Sequence, residues 1–230
     1  MFSLSTKLEV EVSQVQYSTF RSALSQPVGS GNYPTILTIH GIYGLQEMDV
    51  HFTKRLASQG YVVLAHGWQS NEQDPADQDI VEGIRKAIAF LKQEEKALPD
   101  QVGLIGVCRG GSIAMIAAAH IKGLKASVSF YGQAYYPFLY NRKPVSPIDL
   151  VDQITQPMLL VHGEEDTIFA AQESVDYCSA LKSRGKIGEC KLYSGARHGF
   201  FLKGHRNYHQ QASEEAWIVL SEFLKKHLPA

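Results

Sequence analysis

Six residues near the middle of the chain, 106–111, constrain the fold more than any other segment. They read Gly-Val-Cys-Arg-Gly-Gly and separate two apolar runs, residues 102–107 and 112–119. A buried strand that turns sharply into a helix produces this pattern, and such a turn lifts one side chain out of the backbone at the edge of a sheet. Glycines flank the cysteine because strand and helix approach closely there. The segment therefore predicts a nucleophile elbow with Cys108 at its tip.

The position of Cys108 also favours an anionic thiol. Unsatisfied N–H groups and the helix dipole stabilise negative charge at a helix N-terminus. Such surroundings lower a thiol pKa from its free value of about 8.5, which makes a thiolate available near neutral pH. The alternative is a structural cysteine buried beside a glycine-rich turn, and most free cysteines are of that kind.

Two candidate partners follow Cys108 in the order acid then histidine, as a triad on a parallel sheet requires. The apolar segment 157–162 runs into a polar loop that contains Asp166, the predicted acid. The segment 188–193 leads through a short turn to His198, the predicted base. An acidic loop or a loop histidine is usually just solvated when it occurs alone. Three such signals in the right order, each at a strand end, favour a Cys-His-Asp triad.

An apolar strand at 35–40 leads into a loop that reads Gly-Ile-Tyr-Gly. Acyl transfer needs backbone donors beside the nucleophile to hold the oxyanion of the intermediate. The predicted donors are the N–H groups of Ile42 and Arg109. Gly41 and Tyr43, on either side of Ile42, are predicted to contact substrate.

With these motifs the chain resembles the dienelactone hydrolase family from about Thr35 to its C-terminus. The matching motifs are Gly-Val-Cys-Arg-Gly-Gly around Cys108, His-Gly-Glu-Glu-Asp ending at Asp166, and Ala-Arg-His-Gly-Phe around His198. The resemblance implies a single-domain α/β-hydrolase fold. It also implies hydrolysis of small esters or lactones by a Cys-His-Asp triad through a thioester.

The chain departs from the family's founding members at two positions that bear on substrate. The founders carry a glutamate that partners the resting thiol, where this chain has Gly41. They also carry an arginine shortly after the catalytic histidine that binds a substrate carboxylate, whereas this chain reads Phe-Phe-Leu-Lys over residues 200–203. Burying an unpaired carboxylate against an apolar wall is costly. We therefore expect Phe200 to contact substrate, and neutral esters or lactones to be preferred over carboxylates.

Composition limits the class of protein and its partners. The chain has 230 residues, which suits one α/β domain spanning 1–230, and a formal net charge of −1, which argues against nucleic acid or a membrane surface. Three cysteines, no leader and no long apolar run predict a reducing cytoplasm. A small ester or lactone is the predicted partner, and neither cofactor nor metal is expected. Monomer and small homo-oligomer both stay open.

The order of apolar segments predicts an α/β fold, with a mostly parallel twisted sheet and helices on both faces. Segments 8–12 and 16–25 predict an antiparallel hairpin at one sheet edge. Helices are predicted over residues 48–59, 77–96, 170–184 and 208–227. Segment 132–154 is rich in aromatic side chains, and it either covers the active-site mouth or forms a surface loop.

Other functions remain possible at this stage. A thiol redox protein would use Cys108 without needing the acid or the histidine. A non-catalytic interaction protein would keep the fold and lose the chemistry through the change at Gly41. The glycines do not form the dinucleotide pattern G-x-G-x-x-G, and the spacing of His198, His205 and His209 matches no zinc motif.

Overall fold

The computed structural model describes residues 7–69, 72–139 and 141–229, and within these ranges eight strands form one sheet. The strands are β1 (Val10–Tyr17), β2 (Phe20–Pro27), β3 (Tyr33–Ile39), β4 (Val62–His66), β5 (Ala97–Val107), β6 (Ala126–Phe130), β7 (Met158–Gly163) and β8 (Gly188–Tyr193). The helices are α1 (Glu47–Ala57), α2 (Asp77–Leu91), α3 (Arg109–His120), α4 (Ala171–Ser183) and α5 (Gln210–His227), with a 3₁₀ helix over Pro147–Gln153.

The strand order across the sheet is β1-β2-β4-β3-β5-β6-β7-β8. Strands β3 to β8 pair in parallel, whereas β1 pairs antiparallel with β2, and β2 pairs antiparallel with β4. The predicted α/β architecture, with its antiparallel hairpin at one edge, is therefore confirmed.

Apolar side chains cover both faces of the sheet. Helices α2, α3 and α4 pack on one face, where Leu37 and Leu104 join their core. Helices α1 and α5 pack on the other face with Ile36 and Ile105. Because neighbouring strand residues point to opposite faces, a strand buried on both sides reads as a continuous apolar run. This burial places helices on both faces, as predicted.

The parallel pairing decides where the loops meet. Strands β3, β5, β7 and β8 run in the same direction, so their carboxyl ends lie along the same edge of the sheet. In open α/β sheets this edge is where ligands bind. The loops that follow these four strands contain all the residues predicted to form the site.

Two predicted boundaries differ from the structure for local reasons. The predicted strand 16–25 is broken by a turn at Ser18, which adopts a φ of 51°. Helix α2 ends at Leu91 rather than near residue 96. After Leu91 the sequence Lys-Gln-Glu-Glu-Lys offers no apolar side chain at helical spacing, and β5 begins at Ala97.

The 3₁₀ helix in segment 132–154 was not predicted. It begins at Pro147, and its first turn is stabilised by a reciprocal capping box between Ser146 and Asp149. Proline in the first turn and serine before it are ordinary start signals for a helix, and the aromatic content of the segment obscured them. None of the helices in the described part of the chain is both long enough and apolar enough to cross a membrane.

Candidate active site

Cys108 lies at a strained turn between β5 and α3. Its backbone has φ 55° and ψ −122°, a conformation that residues other than glycine rarely adopt. A Cβ on Gly106 would come within 1.9 Å of the Gly110 carbonyl oxygen, and one on Gly110 within 2.1 Å of the Ile39 carbonyl oxygen. Only glycine fits at these two positions. The elbow therefore has the geometry that the sequence predicted, with a half-buried thiol at its tip.

The structure brings Asp166 and His198 together from the loops after β7 and β8. The Nδ1 atom of His198 lies 2.7 Å from Oδ2 of Asp166. The two loops approach closely because Gly163 lacks a side chain, since a Cβ there would lie 2.3 Å from the Ala196 carbonyl oxygen. A carboxylate only accepts hydrogen bonds, so Nδ1 carries the proton and donates a hydrogen bond to Asp166.

The second ring nitrogen of His198, Nε2, faces Cys108. Nε2 is buried without a well-oriented hydrogen-bond partner in the described residues. Burial lowers the pKa of His198, but the hydrogen bond to Asp166 and the neighbouring Cys108 outweigh burial and raise the pKa to about 9. The ring therefore holds its proton readily.

Asp166 is held by four hydrogen-bond donors. Its Oδ1 accepts from the backbone N–H groups of Ile168, at 2.8 Å, and Phe169, at 3.0 Å. Its Oδ2 accepts from His198 and from Nε2 of His162, the latter at 3.1 Å. Burial raises the pKa of Asp166, yet the hydrogen bonds from His162 and His198 hold that pKa well below its usual range. The carboxylate is thus ionised and fixed in orientation.

The predicted oxyanion donors belong to two segments that line the same cavity as Cys108. Arg109 is the first residue of α3, and Ile42 belongs to the loop after β3. Neither backbone N–H has an acceptor among the residues that the structure describes. Gly41 packs against the nucleophile, since a Cβ built on it would lie 3.3 Å from Cys108 Cβ and 3.7 Å from its Sγ. This loop and the N-terminus of α3 together flank the thiol.

His40 shapes the same loop from beneath. Its Nδ1 donates to the Gly41 carbonyl oxygen at 2.7 Å, and its own carbonyl oxygen accepts from the indole N–H of Trp68 at 3.1 Å. The His40 ring also stacks on Trp68. These contacts fix the backbone that leads to Ile42.

The Arg109 side chain is committed to a buried ion-pair cluster. Its guanidinium donates to Asp77 at 2.5 Å, to Asp74 at 2.8 Å and to the Tyr136 hydroxyl at 2.7 Å. Lys143 also contacts Asp74. Because a guanidinium with these partners has no free edge for an anion, Arg109 contributes its backbone N–H to the site and not its charge.

Cys108 and His198 open onto a cavity of about 810 Å³. Gly41, Ile42 and Tyr43 line it, and the Tyr43 side chain is largely exposed at the rim. Phe169 and Tyr131 also line the cavity, and each packs its ring edge-on against His198. Neither aromatic residue was predicted from the sequence to line the site.

The prediction for Phe200 is wrong. Its side chain is fully buried, packs against Tyr131 and Tyr193, and does not line the cavity. Phe201 is likewise in the core and stacks on Phe130, whereas Leu202 does reach the cavity. The segment after His198 turns inward before it returns to the surface, so most of the expected apolar wall is core.

Besides Arg109, three cationic residues line the cavity: Lys143, Arg197 and Arg206. Lys143 is paired with Asp74, and Arg197 lies 3.8 Å from Glu165. Arg206 forms no salt bridge within residues 7–69, 72–139 and 141–229. Arg206 was not predicted to reach the site, because a sharply folded loop separates it from His198 in the chain.

Segment 132–154 forms part of one cavity wall. Gln133 and Lys143 line the cavity, whereas Phe138 is exposed and Tyr136 is buried over the Arg109 cluster.

The histidines that suggested a metal reading have separate roles. His209 caps α5 by accepting from the N–H of Ala212. In the described chain no three His, Cys, Asp or Glu side chains are grouped as metal ligands.

Known proteins resemble this chain in sequence and in fold. The sequence model of the dienelactone hydrolase family matches residues 20–228. A Bradyrhizobium protein named as a probable 2-oxo-3-(5-oxofuran-2-ylidene)propanoate lactonase is 28% identical over 220 residues, covering 89% of this chain and 88% of that protein. A Synechocystis protein described as a candidate carboxymethylenebutenolidase is 27% identical over 225 residues, covering 89% and 91%. The crystal structure of a candidate dienelactone hydrolase from Klebsiella pneumoniae superposes with a TM-score of 0.87 at 19% identity, covers 95% of this chain and 99% of its own, and shows the shared fold.

Proposed function

Because the chain belongs to the dienelactone hydrolase family and is a carboxylic ester hydrolase, we propose that it cleaves small esters or lactones by covalent catalysis at Cys108. The observation that carries the proposal is the convergence of three loops at one cavity. The strained thiol of Cys108 and the imidazole of His198 line this cavity, and the carboxylate of Asp166, held by four donors, lies behind the imidazole at Nδ1. A buried structural cysteine would need none of this arrangement.

In the first half of the reaction, His198 holds the proton of the thiol and Asp166 compensates the charge of the imidazolium. The thiolate attacks the carbonyl carbon, and the carbonyl electron pair moves onto the oxygen. The N–H groups of Ile42 and Arg109 donate to this oxyanion, an interaction worth about 3 kcal/mol per donor in related sites. When the carbonyl re-forms, the C–O bond breaks and His198 gives its proton to the leaving alkoxide. The product is a thioester on Cys108.

In the second half, His198 removes a proton from a water molecule, which attacks the thioester carbonyl. The tetrahedral intermediate collapses with loss of the Cys108 thiolate, and the carboxylic acid is released. A thiolate is a good leaving group. When the leaving group of the substrate is poorer, the tetrahedral intermediate loses the Cys108 thiolate and returns to substrate. Activated esters and lactones therefore suit this site better than peptide amides.

Hydrolysis of p-nitrophenyl acetate before and after treatment with iodoacetamide tests the proposal against the two other classes. We expect turnover that is lost when Cys108 is alkylated. Alkylation of Cys108 without any ester turnover would favour a thiol redox protein. Absence of both would favour a non-catalytic interaction protein.

The cavity also bears on the charge of the substrate. The expected preference for neutral substrates rested on an apolar wall after His198, and most of that segment lies in the core. Asp49 and Asp74 line the cavity with the three cations. Asp74 is paired with Lys143 and Arg109, and Asp49 accepts a hydrogen bond from the backbone N–H of Gln46. Arg206 is thus available to a substrate carboxylate, whereas the guanidinium of Arg109 is engaged by Asp74 and Asp77.

We expect Arg206→Met to lower kcat/KM for a carboxylate-bearing ester about tenfold, because a hydrogen bond to a charged group contributes about 1.5–3 kcal/mol. Turnover of a matched neutral ester should not change. Lys203→Met is the control, since Lys203 is exposed and lies outside this cavity. Equal effects of Arg206→Met on the charged and the neutral ester would contradict a carboxylate contact at Arg206.

A further inference from the structure

A second histidine lies behind the candidate acid. His162 is near the carboxyl end of β7, four residues before Asp166, and its side chain is fully buried. It does not line the cavity and cannot touch substrate. In the sequence it reads as part of an apolar strand, which is why it received no role there.

The contacts of His162 determine which ring nitrogen carries the proton. Nε2 lies 3.1 Å from Oδ2 of Asp166 and 3.1 Å from the carbonyl oxygen of Phe169. Both of these atoms are acceptors, so Nε2 must be the donor. Nδ1 lies 2.8 Å from the Ser174 hydroxyl, which donates to it when the ring is neutral. The tautomer with its proton on Nε2 thus satisfies both ring nitrogens.

We propose that His162 is a positioning residue that holds Asp166 for His198, an inference that rests on the proposed function. One oxygen of Asp166 receives both histidines, and the other receives two backbone N–H groups. Without His162 the carboxylate loses one of the two donors to the oxygen that His198 uses. His162 also ties down the carbonyl of Phe169, whose ring packs edge-on against His198. It thus supports the imidazole from two directions.

Two isosteric substitutions separate positioning from simple space filling. The amide nitrogen of glutamine can take the place of Nε2, whereas that of asparagine takes the place of Nδ1. His162→Gln therefore keeps a donor to Asp166, and His162→Asn keeps only a contact with Ser174. We expect the glutamine variant to stay near the wild-type acylation rate. The asparagine variant should lose up to about a hundredfold, the cost of a small misplacement of reacting groups.

The pH dependence of Cys108 alkylation by iodoacetamide, resolved by peptide mass, gives a readout that needs no ester substrate. With Asp166 less well held, the imidazolium is less stabilised and the thiolate forms at higher pH. The acid limb of alkylation should therefore move to higher pH in His162→Asn and stay in place in His162→Gln. The other groups around the triad are unchanged in both variants: Asp49, Tyr131, His205 and Arg206 on the cavity side, and Cys190 beside Ser174.

Nitrogen chemical shifts of His162 in the wild-type protein test the proposal even where a variant folds poorly. We expect a proton on Nε2, the nitrogen that faces Asp166 and the Phe169 carbonyl oxygen. A proton on Nδ1, or equal losses in folded glutamine and asparagine variants, would overturn the positioning role. If wild-type protein hydrolyses no ester while the alkylation shift is present, the proposed function fails and the positioning of the triad by His162 stands.

Discussion

Replacement of Cys108 by alanine should lower kcat/KM for an activated ester by more than about a hundredfold, a loss above ~2.7 kcal/mol of transition-state stabilisation. The thiol is the group to which the acyl carbon would bond, and no other nucleophile among the described residues occupies the tip of the elbow. Alanine keeps the Cβ, so the strained turn and the helix that follows it should survive. Steady-state kinetics with p-nitrophenyl acetate measures the change.

The control for this variant is Cys190→Ala, which makes the same chemical change at a half-buried thiol on β8. Its activity should stay near that of the wild type, and both variants should show wild-type circular dichroism. Retention of more than about a hundredth of wild-type kcat/KM by Cys108→Ala would exclude Cys108 as the nucleophile.

Asp166→Asn should cost on the order of 10³ to 10⁴ in kcat, the range known for loss of the acid from a triad. The asparagine amide brings two donors of its own to a position where four donors already converge. It can neither hold the His198 tautomer nor compensate an imidazolium. We expect the loss in the acylation rate, measured by rapid mixing.

Glu165→Gln is the matched control for the acid, because it removes a carboxylate from the same loop. Glu165 is exposed and lies 3.8 Å from Arg197, away from the triad. Its removal should leave acylation almost unchanged. If Asp166→Asn kept more than a tenth of wild-type activity while folded, the acid would have to be another residue.

The parts of the site that were predictable from sequence are those fixed by the direction of the strands. Cys108, Asp166 and His198 each follow an apolar run, and the carboxyl ends of parallel strands share one edge of a sheet. Their proximity therefore follows from the class of fold. The hairpin was predictable for a similar reason, although the turn at Ser18 depends on a positive φ that the sequence does not display.

The parts that were not predictable depend on how loops fold back after leaving the sheet. Phe200 lies two residues after His198, and its burial follows from the inward turn at Gly199, which has φ 81° and packs against the His205 ring. The same turn brings Arg206 to the cavity. Neither the burial of Phe200 nor the approach of Arg206 to the cavity can be predicted from local composition, since an apolar residue in a loop lines a pocket as readily as it enters a core.

His162 was missed for a different reason. Strands buried on both faces read as uninterrupted apolar runs, and a histidine at the end of such a run reads as part of the strand. Its role depends on Ser174 in α4 and Asp166 in the loop, which come together only in the folded protein. The signal that the sequence offered for His162 was its position four residues before Asp166.

The central claim is an acyl-enzyme on Cys108, and the mass of the protein during the p-nitrophenyl acetate reaction tests it most directly. Rapid acid quenching after the first turnover should give a protein heavier by one acetyl group, and peptide mapping should place that group on Cys108. The adduct should be absent from Cys108→Ala and should decay as product forms. Steady turnover with no adduct, or an adduct on any other residue, would contradict a thioester mechanism.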